Sequence, residues 1–478
     1  VEILLKSNLT SDEILYEVNG TAEKFSSNLI NSEFDISDGT LDFFANKKGL
    51  EIEGNVKVNN LPVQAKFSGS MAKGEAKFLE IDLNLSEQAL ELLPVDMPEI
   101  KISGYAPAKI FLKFQESNKV EFELTSDLKG VELSYLPIGW IKDINSEADL
   151  NVSGALGDGF VLDDISLNSS ELVLVASALR NKDESFVLNF EKLALRDVFD
   201  LQLVIKKDGS LDIIGGQLNM QEFLKLPLVK KSSKKSSPIT IYLDELKLYE
   251  KQIVTRFTAA LETSGKGKFS GSLNDLASFN GNIDRIDAGY SIVANSNNAG
   301  SFIRALGAAK AADGGSAQLN LRQLKDTPGL KGNLKIKNIR LRNMPALLEL
   351  LDAISIVGLI DQLQGPGLVL NEIEANFVNL PDQIKFEQAS AFGPSIGISL
   401  EGYYAKATNN LNMQGVLSPL YVVNAIGSIF TRKGEGLLGF NYRLKGNADR
   451  PEVLVNPLSI FSPAIFREIF RRPVPNLE

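Results

Sequence analysis

Apolar and polar residues alternate at period two through most of the first 290 positions, which predicts strands with one apolar face and one wet face. Leu50, Ile52, Val56 and Val58 alternate with Glu51, Glu53, Asn55 and Lys57. After a turn at Asn59-Asn60, Val63, Ala65 and Phe67 alternate with Gln64 and Lys66. The pattern returns at Ile100, Ile102, Ala108, Ile110, Leu112 and Phe114 and turns at Glu116-Ser117-Asn118. It continues through Val120, Phe122 and Leu124, with Lys119, Glu121 and Glu123 on the other side.

An antiparallel sheet can leave one face wet, but its apolar face needs a cover. A second sheet would make a sandwich, a helix layer an α+β domain, and a sheet curled along its length a trough. The strand pattern runs past the roughly 250 residues at which single cores split, with no convincing linker. The expected fold is therefore mainly β: an elongated, curled antiparallel sheet forming a hydrophobic groove, with two tandem sandwiches as the alternative. In the groove reading, Ile52, Val56, Val58, Val63, Phe67, Ile110, Leu112, Phe114, Val120, Phe122 and Leu124 form the lining. The run Lys230-Lys231-Ser232-Ser233-Lys234-Lys235-Ser236-Ser237-Pro238 cannot bury itself and reads as a solvated loop between strands. The alternative is a weak contact with anionic headgroups.

Near residue 290 the character changes, dividing a groove over 1–290 from a region over 291–478 in which helices join the strands. Residues 298–312 read as an alanine-rich helix stopped by Asp313-Gly314-Gly315, followed by a strand through Ala317, Leu319 and Leu321. A longer helix is expected over 344–364, with Asn343 as its cap, Pro345 in its first turn and Gly365-Pro366-Gly367 at its end. Leu347, Leu351, Ile354 and Val357 would form its apolar side. Ser418-Pro419 is expected to open a helix over 418–431, and Ser462-Pro463 another over 462–472. The last carries Ile465, Phe466, Ile469 and Phe470 beside Arg467, Arg471 and Arg472. It suits either a membrane surface or a cap packed on the sheet, with its arginines favouring the C-terminal dipole.

Composition narrows the chemistry. The 478 residues carry a formal charge of -10, which does not suit nucleic acid. There is no cysteine and no histidine, so disulfides, thiolate nucleophiles, imidazole bases and the zinc sites built from those ligands are excluded. No stretch is long and apolar enough for a transmembrane helix, and strand pattern starts at Val1, so a piece of a longer protein is expected, with any anchor upstream.

The second region also carries a resemblance. Gly358-Leu359-Ile360-Asp361 leads to Gly365-Pro366-Gly367, and Ala391-Phe392-Gly393-Pro394-Ser395-Ile396-Gly397 follows. Next come Ser418-Pro419-Leu420-Tyr421-Val422-Val423-Asn424 and Gly434-Glu435-Gly436-Leu437-Leu438-Gly439-Phe440-Asn441-Tyr442. Pro451-Glu452-Val453-Leu454-Val455-Asn456-Pro457-Leu458-Ser459 closes the series. In this order, over roughly 290–472, they resemble the C-terminal region of the AsmA-like proteins of Gram-negative bacteria, in particular the YhdP-type branch. Two departures stand out, a short segment between Asn424 and Gly434 and Ala464 where a glycine usually follows the proline. The resemblance implies a periplasmic protein anchored in the inner membrane through an N-terminal helix absent from this chain. It also implies a β-groove carrying glycerophospholipids between inner and outer membranes, and contact with an outer-membrane or periplasmic protein at the C-terminal end. Neither enzymatic activity nor a cofactor nor a metal is expected.

Enzyme-like motifs have simpler readings. Gly434, Gly436 and Gly439 spell G-x-G-x-x-G, but Phe440, Tyr442 and Leu444 alternate as a strand where a nucleotide site needs a helix. Asp163-Asp164 and the Asp284/Asp287 pair lack the further oxygen ligands or partner acids that calcium binding or glycoside hydrolysis requires. A non-enzymatic envelope structural or assembly factor built of closed sandwiches is the alternative to a lipid conduit.

Overall fold

A computed structural model describes residues 2–4, 15–27, 35–70, 72, 75–90, 100–115, 119–135, 138–156, 160–180, 186–227, 237–249, 251–307, 311–325, 327–419, 432–461 and 473–475. The chain forms two compact units, Val1–Ser237 and Pro238–Glu478. Each is built on one antiparallel sheet in which strands pair with their neighbours in sequence, apart from two interruptions in the first unit.

In the first unit, seventeen strands run from Glu2–Leu4 to Leu211–Asn219. Fourteen form the main sheet; Ile100–Gly104, Val131–Tyr135 and Trp140–Lys142 form a small separate one. The Asn59-Asn60 turn adopts the left-handed conformation at both residues, φ 49 and 67, which matches the twist of a two-residue hairpin and sets Val58 opposite Leu61. Alternation then places every second side chain of Gly49–Val58 and Leu61–Ser70 on one face.

The small sheet sits at one rim of the main sheet, where Gly130 N donates to Ile144 O and Ala148 N to Asp127 O. Leu128, Val131, Trp140 and Ala106 are buried here. At the opposite rim, around Phe114 and Val120, the side chains are only partly buried. The expected mainly β, elongated antiparallel sheet is therefore present, but it is open and uncurled. Among the described residues no late strand of the unit pairs back onto an early one.

The second unit carries thirteen strands from Pro238–Tyr249 to Glu452–Asn456. Its helices differ from expectation in specific ways. The alanine-rich helix is only Ala299–Ala305, capped by Asn298, whose Oδ1 accepts from Ser301 N at 3.0 Å. Asp313-Gly314-Gly315 lies inside the strand Ala311–Gln323, because the two glycines take positive φ values that absorb a local irregularity. The helix expected over 344–364 is two helices, Pro345–Ala353 and Val357–Gln364, broken at Ser355 with φ 54. Met344 occupies the cap position, while Asn343 takes φ 52, and Gly365 ends the second helix. The break turns Val357 outward to 64% exposure and brings Leu351 and Leu363 to 0% against Ile339, Leu368, Ile396 and Leu417. Ser418 and Pro419 end the strand Asn410–Pro419 instead of opening a helix; the rest of that element lies outside the described residues.

Candidate functional site

Antiparallel registers place directly paired residues on one face, so each row of pairs continues strand by strand across the first unit. One row runs Phe43, Ile52, Phe67, Leu79, Leu112, Phe122, Gly154, Leu162, Ala178, Leu188, Ile205 and Leu211. A second, two residues along, runs Leu41, Gly54, Ala65, Ile81, Ile110, Leu124, Val152, Ile165, Ala176, Phe190, Leu203 and Ile213. Val56, Val63, Leu83 and Ala108 begin a third towards the covered rim, and Phe114 pairs with Val120 towards the other. With strands about 4.8 Å apart, the twelve strands that carry these rows give an apolar band roughly 50 Å long.

All eleven lining residues read from the alternation lie on this face, and their burial is graded. Val56 and Val63 are 8% and 7% exposed, and Val58, in the same row pattern, is partly buried beside the Asn59-Asn60 turn. Ile52, Phe67, Ile110, Leu112, Phe114, Val120, Phe122 and Leu124 are likewise only partly buried. Each is shielded by its neighbours along the row and still reachable from above.

The reading missed Leu79, Ile81, Val152, Ile165 and Phe190. The strand Lys77–Leu85 has a clean alternation that could have found the first two. Ile165 was hidden by a register shift between Leu162 and Ile165, which puts two residues where the partner strand has one. Those two residues are Asp163 and Asp164, so this acid pair is the extra backbone of a bulge; Asp164 accepts a hydrogen bond from Ser166. Asp284 faces Lys266 at 3.8 Å. Among the described residues no group of three potential acidic metal ligands converges.

The glycine motif at 434–439 is a strap on the second unit that leads into the strand Phe440–Asn447. Arg432 reaches Glu401 at 3.0 Å, and Lys433 pairs with both Glu372 and Glu374. Glu435, 3% exposed, accepts from Ser399 Oγ at 2.7 Å, and Tyr442 OH donates to Ser399 O at 2.8 Å. Gly434 has φ +82 and lies where a Cβ would be 2.5 Å from Ile398 O, so this crossing needs glycine. Hydrogen bonds from Lys433 hold the Glu372 and Glu374 carboxyls below the usual carboxylate range. Their contribution is complete above the ordinary value of 4.5 and is lost as pH falls through the depressed folded values. Protection factors of the amides of residues 433–436, taken against the intrinsic exchange rate at each pH, should fall on acidification below about pH 4.5, and Lys433→Met should remove most of that pH dependence.

Ile465, Phe466, Arg467, Ile469, Phe470 and Arg471, read as a membrane or cap contact, lie outside the described residues, as does the basic run over 230–236. Among the described residues no helix is long and apolar enough to cross a membrane. No protein family, curated protein or solved structure matches the chain.

Proposed function

We propose that the chain is part of a lipid-transfer conduit that carries glycerophospholipid tails along an apolar sheet face between two membranes. The observation behind this reading is the run of unbroken apolar rows across the first unit, partly exposed and crossing the strands in the direction a sliding tail would take. Moving one 16-carbon tail into water costs on the order of 13 kcal/mol at about 0.8 kcal/mol per methylene. A surface that touches the tail at every step removes most of that barrier, and headgroups stay in water at the open rim. No compact polar site is needed for such a task.

Membership of the AsmA-like proteins, an inner-membrane anchor and a periplasmic setting belong to the same proposal and rest on the resemblance of the C-terminal segments. The competing reading, a structural factor with closed cores, is favoured by the helix-covered end of the second unit, where Leu351, Leu363, Ile339 and Leu417 are all 0% exposed. Native mass spectrometry with lipid extraction on the purified 478-residue chain separates the two. Several co-purifying phospholipids per chain are expected; a chain that stays empty after incubation with phospholipid vesicles would favour the structural reading.

A further inference from the structure

One strand in each unit ends its apolar side in a cation. Along Lys77–Leu85, Leu85 is buried at the covered rim, Leu83, Ile81 and Leu79 are partly buried, and Lys77 stands exposed on the same face, paired with Gly69 and Phe114. Along Ala277–Ile286, Ala277 is buried, Phe279 packs on Phe302 of the helix Ala299–Ala305, Ile283 is partly buried, and Arg285 stands exposed, paired with Tyr290. Ile283 sits in a row of the second unit with Leu261, Ile292, Leu321, Phe377 and Phe386, all partly buried. Lys77 Cγ lies 3.1 Å from where a Cβ on Gly69 would be, so its aliphatic stem rests on the sheet. Cations on the wet faces have carboxylate partners, Lys66 with Glu53 at 3.3 Å, Lys113 with Glu121 at 3.1 Å and Lys266 with Asp284 at 3.8 Å. Among the described residues Lys77 and Arg285 have no such partner; Arg285 Nη1 donates to Ser264 O at 3.5 Å.

We infer that Lys77 and Arg285 bind the phosphate of a lipid whose tail lies along the strand, so that phosphate-bearing lipids are the preferred cargo; this rests on the conduit reading. Leu83 to Lys77 and Phe279 to Arg285 are each six residues apart, about 20 Å at 3.3 Å per residue. Half of a bilayer with its headgroups also measures about 20 Å. A lipid with its tail end at the covered side therefore brings its phosphate level with the cation, and it moves sideways from strand to strand along the rows. A charge-assisted hydrogen bond to phosphate is stronger than one to a neutral hydroxyl, so diacylglycerol, with the same tails and no phosphate, is held less well. A protein partner would not need a cation at one lipid length from the covered side in both units.

The test incubates the delipidated 478-residue chain with vesicles mixing phosphatidylglycerol and diacylglycerol of the same tails, and compares the extracted lipid ratio with that of the vesicles by mass spectrometry. Wild type should enrich phosphatidylglycerol about fivefold. The double variant Lys77→Gln/Arg285→Gln should bring the ratio close to that of the vesicles, with diacylglycerol loading and thermal unfolding unchanged, whereas Lys77→Arg should keep the preference. Loading of both lipids in the vesicle proportion, or a double variant that keeps the wild-type preference, would overturn the inference and leave the conduit standing. Failure to load either lipid would overturn the conduit reading and the inference with it. Inorganic phosphate titrated alone should not bind; saturable binding at millimolar concentration that the double variant loses would mark a free-anion site and overturn the lipid assignment.

Discussion

Replacing Phe122 with Asp should strip phospholipid from the purified chain by about tenfold or more, while its melting temperature moves by only a few degrees. Phe122 is partly exposed, paired with Leu112 on one side and facing Gly154 on the other, in the middle of an apolar row that crosses twelve strands. A carboxylate there keeps water above the sheet when no lipid is bound, so folding loses about 1 kcal/mol, or roughly 3 °C for a unit of this size. A tail sliding over the row would have to remove that water, at a cost of several kcal/mol per charge, and each 1.4 kcal/mol is a factor of ten in occupancy. Lipid extraction and differential scanning calorimetry on the same preparation make the comparison. Loss of folding together with loss of lipid would mean that Phe122 sits in a closed core, and the conduit reading would fail.

The second large effect is expected on stability alone. Leu363→Ala removes a side chain with 0% exposure from the contact between the helix Val357–Gln364 and the strands around Leu341 and Leu368. Such truncations cost about 2–5 kcal/mol, because neighbours held by the sheet cannot collapse into the space. For a unit of about this length that is a fall of roughly 6–15 °C in the transition of the second unit. Val357→Ala, six residues away on the same helix but 64% exposed, should shift it by about 0.5 kcal/mol or less. Equal effects from the two variants would show that the helix does not seal the sheet end, and hydrogen exchange over 334–342 would show whether the loss is local.

Much of the first unit was legible because its strands are built from uninterrupted alternation. Ile52 with Phe67 and Leu112 with Phe122 could be placed on one face from periodicity, and Asn59-Asn60 could be placed as their turn from conformational preference. The Asp163-Asp164 bulge was not legible. An extra residue costs nothing in local propensity, and its effect, flipping the face of everything beyond it, exists only relative to a paired strand. The break at Ser355 escaped for a similar reason. Residues 344–364 have an apolar pattern continuous enough for one helix, and bringing both Leu351 and Leu363 into one core required two.

The candidate surfaces divide along the same line. That an apolar face exists, that it is sheet, and that cysteine and histidine chemistry is absent were determined by residue type and order alone, since alternation and composition are local quantities. Tertiary structure decided what each face meets. The sheet is open where a curled groove was expected, its apolar face is covered at the Trp140 rim and reachable at the Phe114 rim, and the helices close one end of the second unit. Burial depends on which strands become neighbours across long loops, and that follows from the sum of many pairings, which no single segment of the chain contains.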